Sequence, residues 1–277
     1  NETLPSRTVN YDSFVKFQIN CSDFIDGDAL TFYDNSSLFN INETNGTIID
    51  NPSSSEIGTY TINITCGDGT DNTSQTFLYT IQDITPPRVI SLSPTINSIY
   101  NINNMFEIGA NVTDDSIISQ VFANISYPNG STILFQLSNG TGYGNRYNIS
   151  FVAPAVIGNY NITFIANDSS NNINRTEKTN FIINDAAVPS VTTLLPPANS
   201  IFNISNLIEI SANVTDQISV STILANLSYP NGTNTLLTLS NSTGYFSKYN
   251  TSFIAPSLTG RYNITFIAND SSNNIHR

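Results

Sequence analysis

The stretch "YNITFIANDSSNNI" spans Tyr160–Ile173 and returns unchanged at Tyr262–Ile275. Its residues alternate: Tyr160, Ile162, Phe164 and Ala166 share one face, and Asn161, Thr163 and Ile165 share the other. A period of two is the pattern of a β-strand with one face in a core. The Asp-Ser-Ser-Asn-Asn that follows is turn chemistry. The stretch therefore reads as a penultimate strand and its corner rather than as a binding signature.

Sliding the chain by 102 residues extends the match without a gap, over roughly ninety residues. Asn97-Ser98-Ile99-Tyr100 meets Asn199-Ser200-Ile201-Phe202, Asn111-Val112-Thr113-Asp114 meets Asn213-Val214-Thr215-Asp216, and Tyr127-Pro128-Asn129-Gly130 meets Tyr229-Pro230-Asn231-Gly232. A more distant copy precedes them, because "GTYTINITCGDGTDN" (Gly58–Asn72) aligns with "GNYNITFIANDSSNN" (Gly158–Asn172). Strands ending at Asp83 and Asp185 lead into Pro86-Pro87 and Val188-Pro189, and proline stops strand continuation. The expected modules are 1–83, 84–185 and 186–277. Each carries short alternating strands broken by Pro-Asn-Gly, Ser-Asn-Gly and Asp-Ser-Ser turns, and no segment shows a helical stripe. About seven strands in about 100 residues fits an immunoglobulin-like sandwich, so the expected class is all-β, with three tandem sandwich modules.

The first module lacks the antibody hallmarks: the chain has no Trp, and Tyr60 lies six residues before Cys66 instead of two. Its "FQINCSDFIDGDALTF", "LFNINETNGTII" and "GTYTINITCGDGTDN" resemble the cadherin-like immunoglobulin-type modules of microbial surface proteins. Modules two and three, with "ITPPRVISLSP", "ANVTDDS", "YPNGS" and the repeated stretch, resemble the immunoglobulin-like repeats of archaeal cell-surface and S-layer-type proteins. The resemblance implies a fold and a surface setting, and says little about molecular role.

Of the 277 residues only 11% are charged, against roughly 25% in ordinary soluble domains, so neutral polar side chains must supply solubility. A net charge of −12 with nine scattered basic residues argues against nucleic acid or an anionic membrane as partner. No apolar run reaches the roughly 18–20 residues that span a bilayer. No basic-then-apolar leader opens the chain, so a mature chain or an excised piece of one is expected. Cys21 follows Phe17 and Ile19 on the apolar phase of one segment, as Cys66 follows Ile62 and Ile64 on another. A buried thiol pair or a cross-sheet disulfide fits that placement; a disulfide, the favoured reading, implies an extracellular compartment.

The chain holds 41 Asn and 23 Asn-x-Ser/Thr sequons with x not proline, against about ten expected by chance. AT-rich codons alone would favour Asn, Ile and Tyr, yet Lys, equally AT-rich, is scarce and Asn is a poor strand residue. N-glycosylation is the expectation, with Asn63, Asn111, Asn124, Asn129, Asn148, Asn161, Asn213, Asn226, Asn231, Asn250 and Asn263 as candidate sites.

Catalytic chemistry is not visible. The single His, His276, is expected in a solvated polar turn, Lys16 alternates opposite the core positions, and no nucleophile elbow, phosphate loop or HExxH is present. Asp23, Asp26 and Asp28 around Gly27, Asp68 with Asp71, and Asp83 at the boundary are the acidic candidates, since carboxylates converging at a module end would make a hard-oxygen site for Ca²⁺. Asp114, Asp168, Asp216 and Asp270 are read as loop caps making Asx-turns. After the repeated stretch module two continues with "TEKTNFIIND", a closing strand, whereas module three reaches His276-Arg277 where that strand should begin. Either a longer array or a neighbouring copy adding a strand would close it; "NETLPSRTVN", with only Leu4 and Val9 apolar and Pro5 among them, is a poor donor. The functional expectation is a non-enzymatic, glycosylated, rod-like extracellular structural protein of a surface layer, stalk or filament, roughly 100 Å long. The alternatives are an adhesin binding a surface carbohydrate or protein, with Tyr143, Tyr147, Tyr245 and Phe246 as loop-tip candidates, or the accessory region of a secreted hydrolase.

Overall fold

The structure, a computed structural model, describes residues 3–22, 29–140, 144–241 and 247–277. It is all-β apart from a single 3-10 turn, Ser54–Glu56, among the described residues. The first module contains β1 (Arg7–Asn10), β2 (Val15–Gln18), β3 (Thr31–Asp34), β4 (Thr47–Asp50), β5 (Gly58–Gly67) and β6 (Asn72–Gln82). A sheet in the order β1-β6-β5-β3 faces the β2-β4 pair, and their inner faces enclose Phe17, Ile48, Ile62, Phe77 and Tyr79. Cys21 and Cys66 are joined in a disulfide.

The second module runs β7 (Arg88–Ser93), β8 (Ser98–Asn101), β9 (Met105–Thr113), β10 (Ile118–Ser126), β11 (Thr132–Gln136), β12 (Ser138–Asn139), β13 (Arg146–Val152), β14 (Gly158–Asp168), β15 (Ile173–Asn174) and β16 (Lys178–Asn184). Its two sheets are ordered β11-β10-β14-β16-β8 and β12-β13-β9-β7. The repeated stretch supplies β14, and Tyr160, Ile162, Phe164 and Ala166 are all fully buried, as their phase demands. The closing strand β16 lies antiparallel to β14 and parallel to β8, and Phe181 stacks on Tyr160 with ring centroids 4.9 Å apart. Burying a side chain of that size contributes about 2–3 kcal/mol.

The third module has β17 (Ser190–Leu195), β18 (Leu207–Thr215), β19 (Val220–Ser228), β20 (Asn234–Asn241), β21 (Lys248–Ile254), β22 (Asn263–Asp270) and β23 (Ile275–His276). Here β20 pairs with both β19 and β21, which links the strands into one sheet, β17-β18-β21-β20-β19-β22-β23. No described strand occupies the slot that β16 fills in module two. The consequences are local and physical: β22 starts at Asn263, three residues later than the register of β14, and the residues matching β8 are not in a strand. Ile204 is 53% exposed where its counterpart Ile102 is 7% exposed. Residues 7–10, part of the stretch weighed above as a strand donor, are already paired with β6.

One feature of the immunoglobulin class appears in all three modules although its spacing differs from that of antibodies. Tyr60, Tyr160 and Tyr262 each donate from the hydroxyl to the carbonyl four residues upstream, on Glu56, Val156 and Leu258. This is the geometry of a tyrosine corner, which pins the loop entering the strand.

Candidate metal centres at the module junctions

Three strands of the first junction end on a carboxylate. Asp83 follows β6, Asp114 follows β9, and Asp168 closes β14. One carboxylate oxygen from each lies within 4.8 Å of the other two. Asp83 and Asp168 are buried and Asp114 is half-buried. Local turns hold each one. The Thr85 amide and hydroxyl both donate to Asp83 Oδ1 at 2.8 Å, and the Ser116 amide and hydroxyl do the same for Asp114 Oδ1. The Asn172 amide donates to Asp168 Oδ1 at 2.8 Å, while its side-chain Nδ2 reaches Asp168 Oδ2 at 2.9 Å and the Asp83 carbonyl at 3.2 Å. Asn172 thereby ties the end of one module to the pole of the next.

The second junction repeats the set 102 residues on, with Asp185, Asp216 and Asp270 again within 4.8 Å. The Ala187 amide donates to Asp185 Oδ1 and the Ile218 amide to Asp216 Oδ1. The Ser272 and Asn274 amides cap Asp270 Oδ1 at 2.8 Å, and Asn274 Nδ2 bridges Asp270 Oδ2 to the Asp185 carbonyl.

Bare carboxylates at this separation are unfavourable. Each ionised pair repels by about 3 kcal/mol or more at an effective dielectric of about 20. The strain shows at Asp114, where burial, with the charges of Asp83 and Asp168, raises the carboxyl above its ordinary value despite the Ser116 bonds. At Asp83 burial pushes upward, but hydrogen bonds led by those from the Thr85 amide and hydroxyl outweigh it and hold the carboxyl below the usual value. One carboxylate oxygen in each trio, Asp83 Oδ2 and Asp216 Oδ2, is buried and makes no hydrogen bond among the described residues, and neither do the nearby side-chain oxygens of Asn167 and Asn269. A buried acceptor left unmatched costs about 1–3 kcal/mol, more when charged. A donor set made only of carboxylate oxygens, with one left over at each junction, fits a hard divalent cation of the Ca²⁺ type.

Of the sequence-derived ligands, Asp23, Asp26 and Asp28 lie outside the described residues. Asp68 Oδ1 is occupied by the Thr70 amide, the Thr70 hydroxyl and the Asp71 amide, a closed Asx-turn, and Asp68 and Asp71 do not belong to either carboxylate group. Asp114, Asp168, Asp216 and Asp270 do cap turns, as expected, and the same carboxylates converge at the junctions. The repeated stretch thus carries more than a corner, since it provides Asp168 with Asn172 and Asp270 with Asn274. The missed signal was the period itself: Asp83, Asp114 and Asp168 recur as a trio at the 102-residue offset.

The structure sorts the sequons by environment. Asn161 and Asn263 are exposed on β14 and β22. Asn148 Nδ2 donates to Glu107 and Asn250 Nδ2 to Glu209, beside the Arg146–Glu107 and Lys248–Glu209 ion pairs, and Asn111 accepts from Arg146. Asn129 and Asn231 accept from the amide and hydroxyl of their own sequon's Ser131 and Thr233. Asn63, Asn124, Asn213 and Asn226 are half-buried in strands. Tyr147 packs against the second core, while Tyr143, Tyr245 and Phe246 lie outside the described residues. Lys16 is exposed, and His276 falls in the short strand β23, half-buried, where a polar turn was expected.

Fold and site define a class: tandem immunoglobulin-type sandwiches with a carboxylate trio at each junction. No protein-family model and no curated protein sequence matches the chain. Among solved structures it is similar to the EC1–3 region of Drosophila N-cadherin, at 13% identity over 100% of this chain and 95% of that one, TM-score 0.40. An I-band fragment of titin matches at 10% identity over 99% of this chain and 93% of that one, TM-score 0.39. A tetra-tandem repeat from the extending region of a large adhesion protein matches at 14% identity, over 89% of this chain and 64% of that one, TM-score 0.40. At these identities the likeness is one of fold.

Proposed function

We propose that the chain is a non-enzymatic structural segment of an extracellular rod, in a surface layer, stalk or filament, whose junctions are held by Ca²⁺. The observation that carries this is the repeated junction trio with its unmatched buried oxygen. Asp83, Asp114 and Asp168 would hold one ion, and Asp185, Asp216 and Asp270 the other. The cation supplies the positive charge that lets three carboxylates stay ionised side by side. The protein's part is to present them from two consecutive modules, so that holding the ion fixes the angle between those modules. The Cys21–Cys66 disulfide supports an oxidising, extracellular setting. N-glycans at exposed sequons such as Asn161 and Asn263 supply solubility that 11% charged residues do not. Among the described residues no helix is long and apolar enough to cross a membrane. Further modules, or copies of the chain, are the partners such a rod calls for.

Thermal melting and small-angle X-ray scattering in Ca²⁺ and in EGTA test the reading. Calcium at a hundredfold over Kd stabilises by about 2.7 kcal/mol, so the melting temperature rises and the maximum dimension lengthens as the junctions straighten. Identical melts and identical scattering in the two buffers would sink the proposal.

A further inference from the structure

We infer that the two junctions bind the cation unequally, the first more tightly, and that Tyr11 and Asp115 set the difference. This rests on the cation reading above and concerns what surrounds each trio.

At the first junction a fourth carboxylate, Asp115, adjoins Asp114 in the chain. Tyr11, whose ring lies in the first core, donates from its hydroxyl to Asp115 Oδ2 at 2.9 Å, and that hydroxyl lies 2.7 Å from Thr85 Oγ1. Thr85 in turn donates both its hydrogens to Asp83 Oδ1. One side of Asp83 is therefore saturated, and the other oxygen, on a residue only 4% exposed, makes no hydrogen bond. Module one, the linker and module two are thus fastened by hydrogen bonds around an oxygen left open for a ligand.

The second junction keeps the trio and the asparagine bridge, now Asn274, and changes the other accessories. At the 102-residue offset Asp115 becomes Gln217 and Thr85 becomes Ala187. Tyr11 is replaced by Ile102: each follows the module's first parallel-paired strand, and their amides donate to Gln82 and Asn184 in the same way. Ile102 has no hydroxyl to give. Ile218, which stands where the first junction has Ser116, instead packs against the second core. Asp185 Oδ2 already accepts from the Ser272 hydroxyl at 3.2 Å. The second junction is fastened by an apolar contact together with the Asn274 and Ser272 hydrogen bonds, has no acidic side chain at the position of Asp115, and offers its ion a partly occupied Asp185.

Carboxylate count and prior organisation are what tune affinity at oxygen sites. The expected separation in Kd is on the order of tenfold. At intermediate calcium the first joint is then locked while the second still bends.

Isothermal titration of the whole chain with Ca²⁺ alone tests this, using Asp83→Asn and Asp216→Asn to identify each site. The expected result is two unequal sites, the tighter one lost in D83N. Asp115→Asn should bring the two affinities together, and Gln217→Asp should tighten the weaker site several-fold. Both of these positions are exposed, so this pair reads the contrast even if a ligand variant fails to fold. Two equal sites, or a tighter second site, would overturn this inference and leave the proposed function standing. No calcium binding at all would overturn both.

Discussion

Asn171 and Asn273 sit at φ +67°, in the left-handed region, at the same point of the repeated corner. Asn tolerates that conformation, whereas a β-branched residue does not. The turn brings the next residue, Asn172 or Asn274, back over the Asp that opened it, so a local backbone preference becomes a contact between modules. Asp68, in the related corner of module one, shows the same turn chemistry outside either carboxylate trio. Three hydrogen bonds, led by those from the Asp71 and Thr70 amides, pull its carboxyl down to about 2. A depressed carboxyl supports its turn at every pH above its ordinary 3.8 and gives up that support as pH falls through about 2. A carboxyl ¹³C titration by NMR should place the Asp68 midpoint near 2, and a midpoint near 4 would mean that the Asx-turn is not formed in solution. At this scale the sequence was legible for turn chemistry, because Asp, Ser and Asn cap locally. It was silent on convergence, because Asp83, Asp114 and Asp168 are far apart in the chain.

Strands were legible wherever one face is buried. The phase of Tyr160–Ala166 named every core residue of β14, and Cys21 and Cys66 fell on inward positions that the structure joins. Pairing partners were harder to see. Alternation does not distinguish parallel from antiparallel neighbours, so the parallel pairs β1-β6 and β8-β16 could not be read from it. Nor did it show that β20 joins two sheets through its last residues. The disulfide acts at this scale, closing a loop of 45 residues that spans β3 and β4. Loop-closure entropy for such a length corresponds to about 4 kcal/mol. Replacing both cysteines by Ala should lower the unfolding free energy of the first module by that order, read as a fall in its denaturant midpoint, and leave the other two modules unchanged. An unaltered midpoint would show that the packing around Phe32 and Ile64 holds the sandwich without the crosslink.

Across the whole molecule the three cores differ in a way the 102-residue period conceals. Among the described residues the second core cluster buries seventeen hydrophobic residues and the third eight, although their sequences run in register. Most of the difference traces to β16. With it in place, β14 is hydrogen-bonded along both edges, to β10 and to β16, and Tyr160 stacks on Phe181. In module three the matching edge of β22 has no described strand beside the residues that pair with β16 in module two, and Ile204 and Phe202 are 53% and 42% exposed. Buried apolar area and paired backbone are what close a sandwich against local opening. The near-identical strands β14 and β22 should therefore differ in hydrogen-exchange protection on the order of a hundredfold, with Tyr262–Thr265 the faster. Equal protection of Tyr160–Thr163 and Tyr262–Thr265 would mean that the open edge of module three is covered in solution, and the stability order of the modules would have to be redrawn. From Asn161 and Asn263 onward each amide and its preceding residue are the same in the two copies, so intrinsic exchange rates cancel and the contrast reads tertiary structure alone.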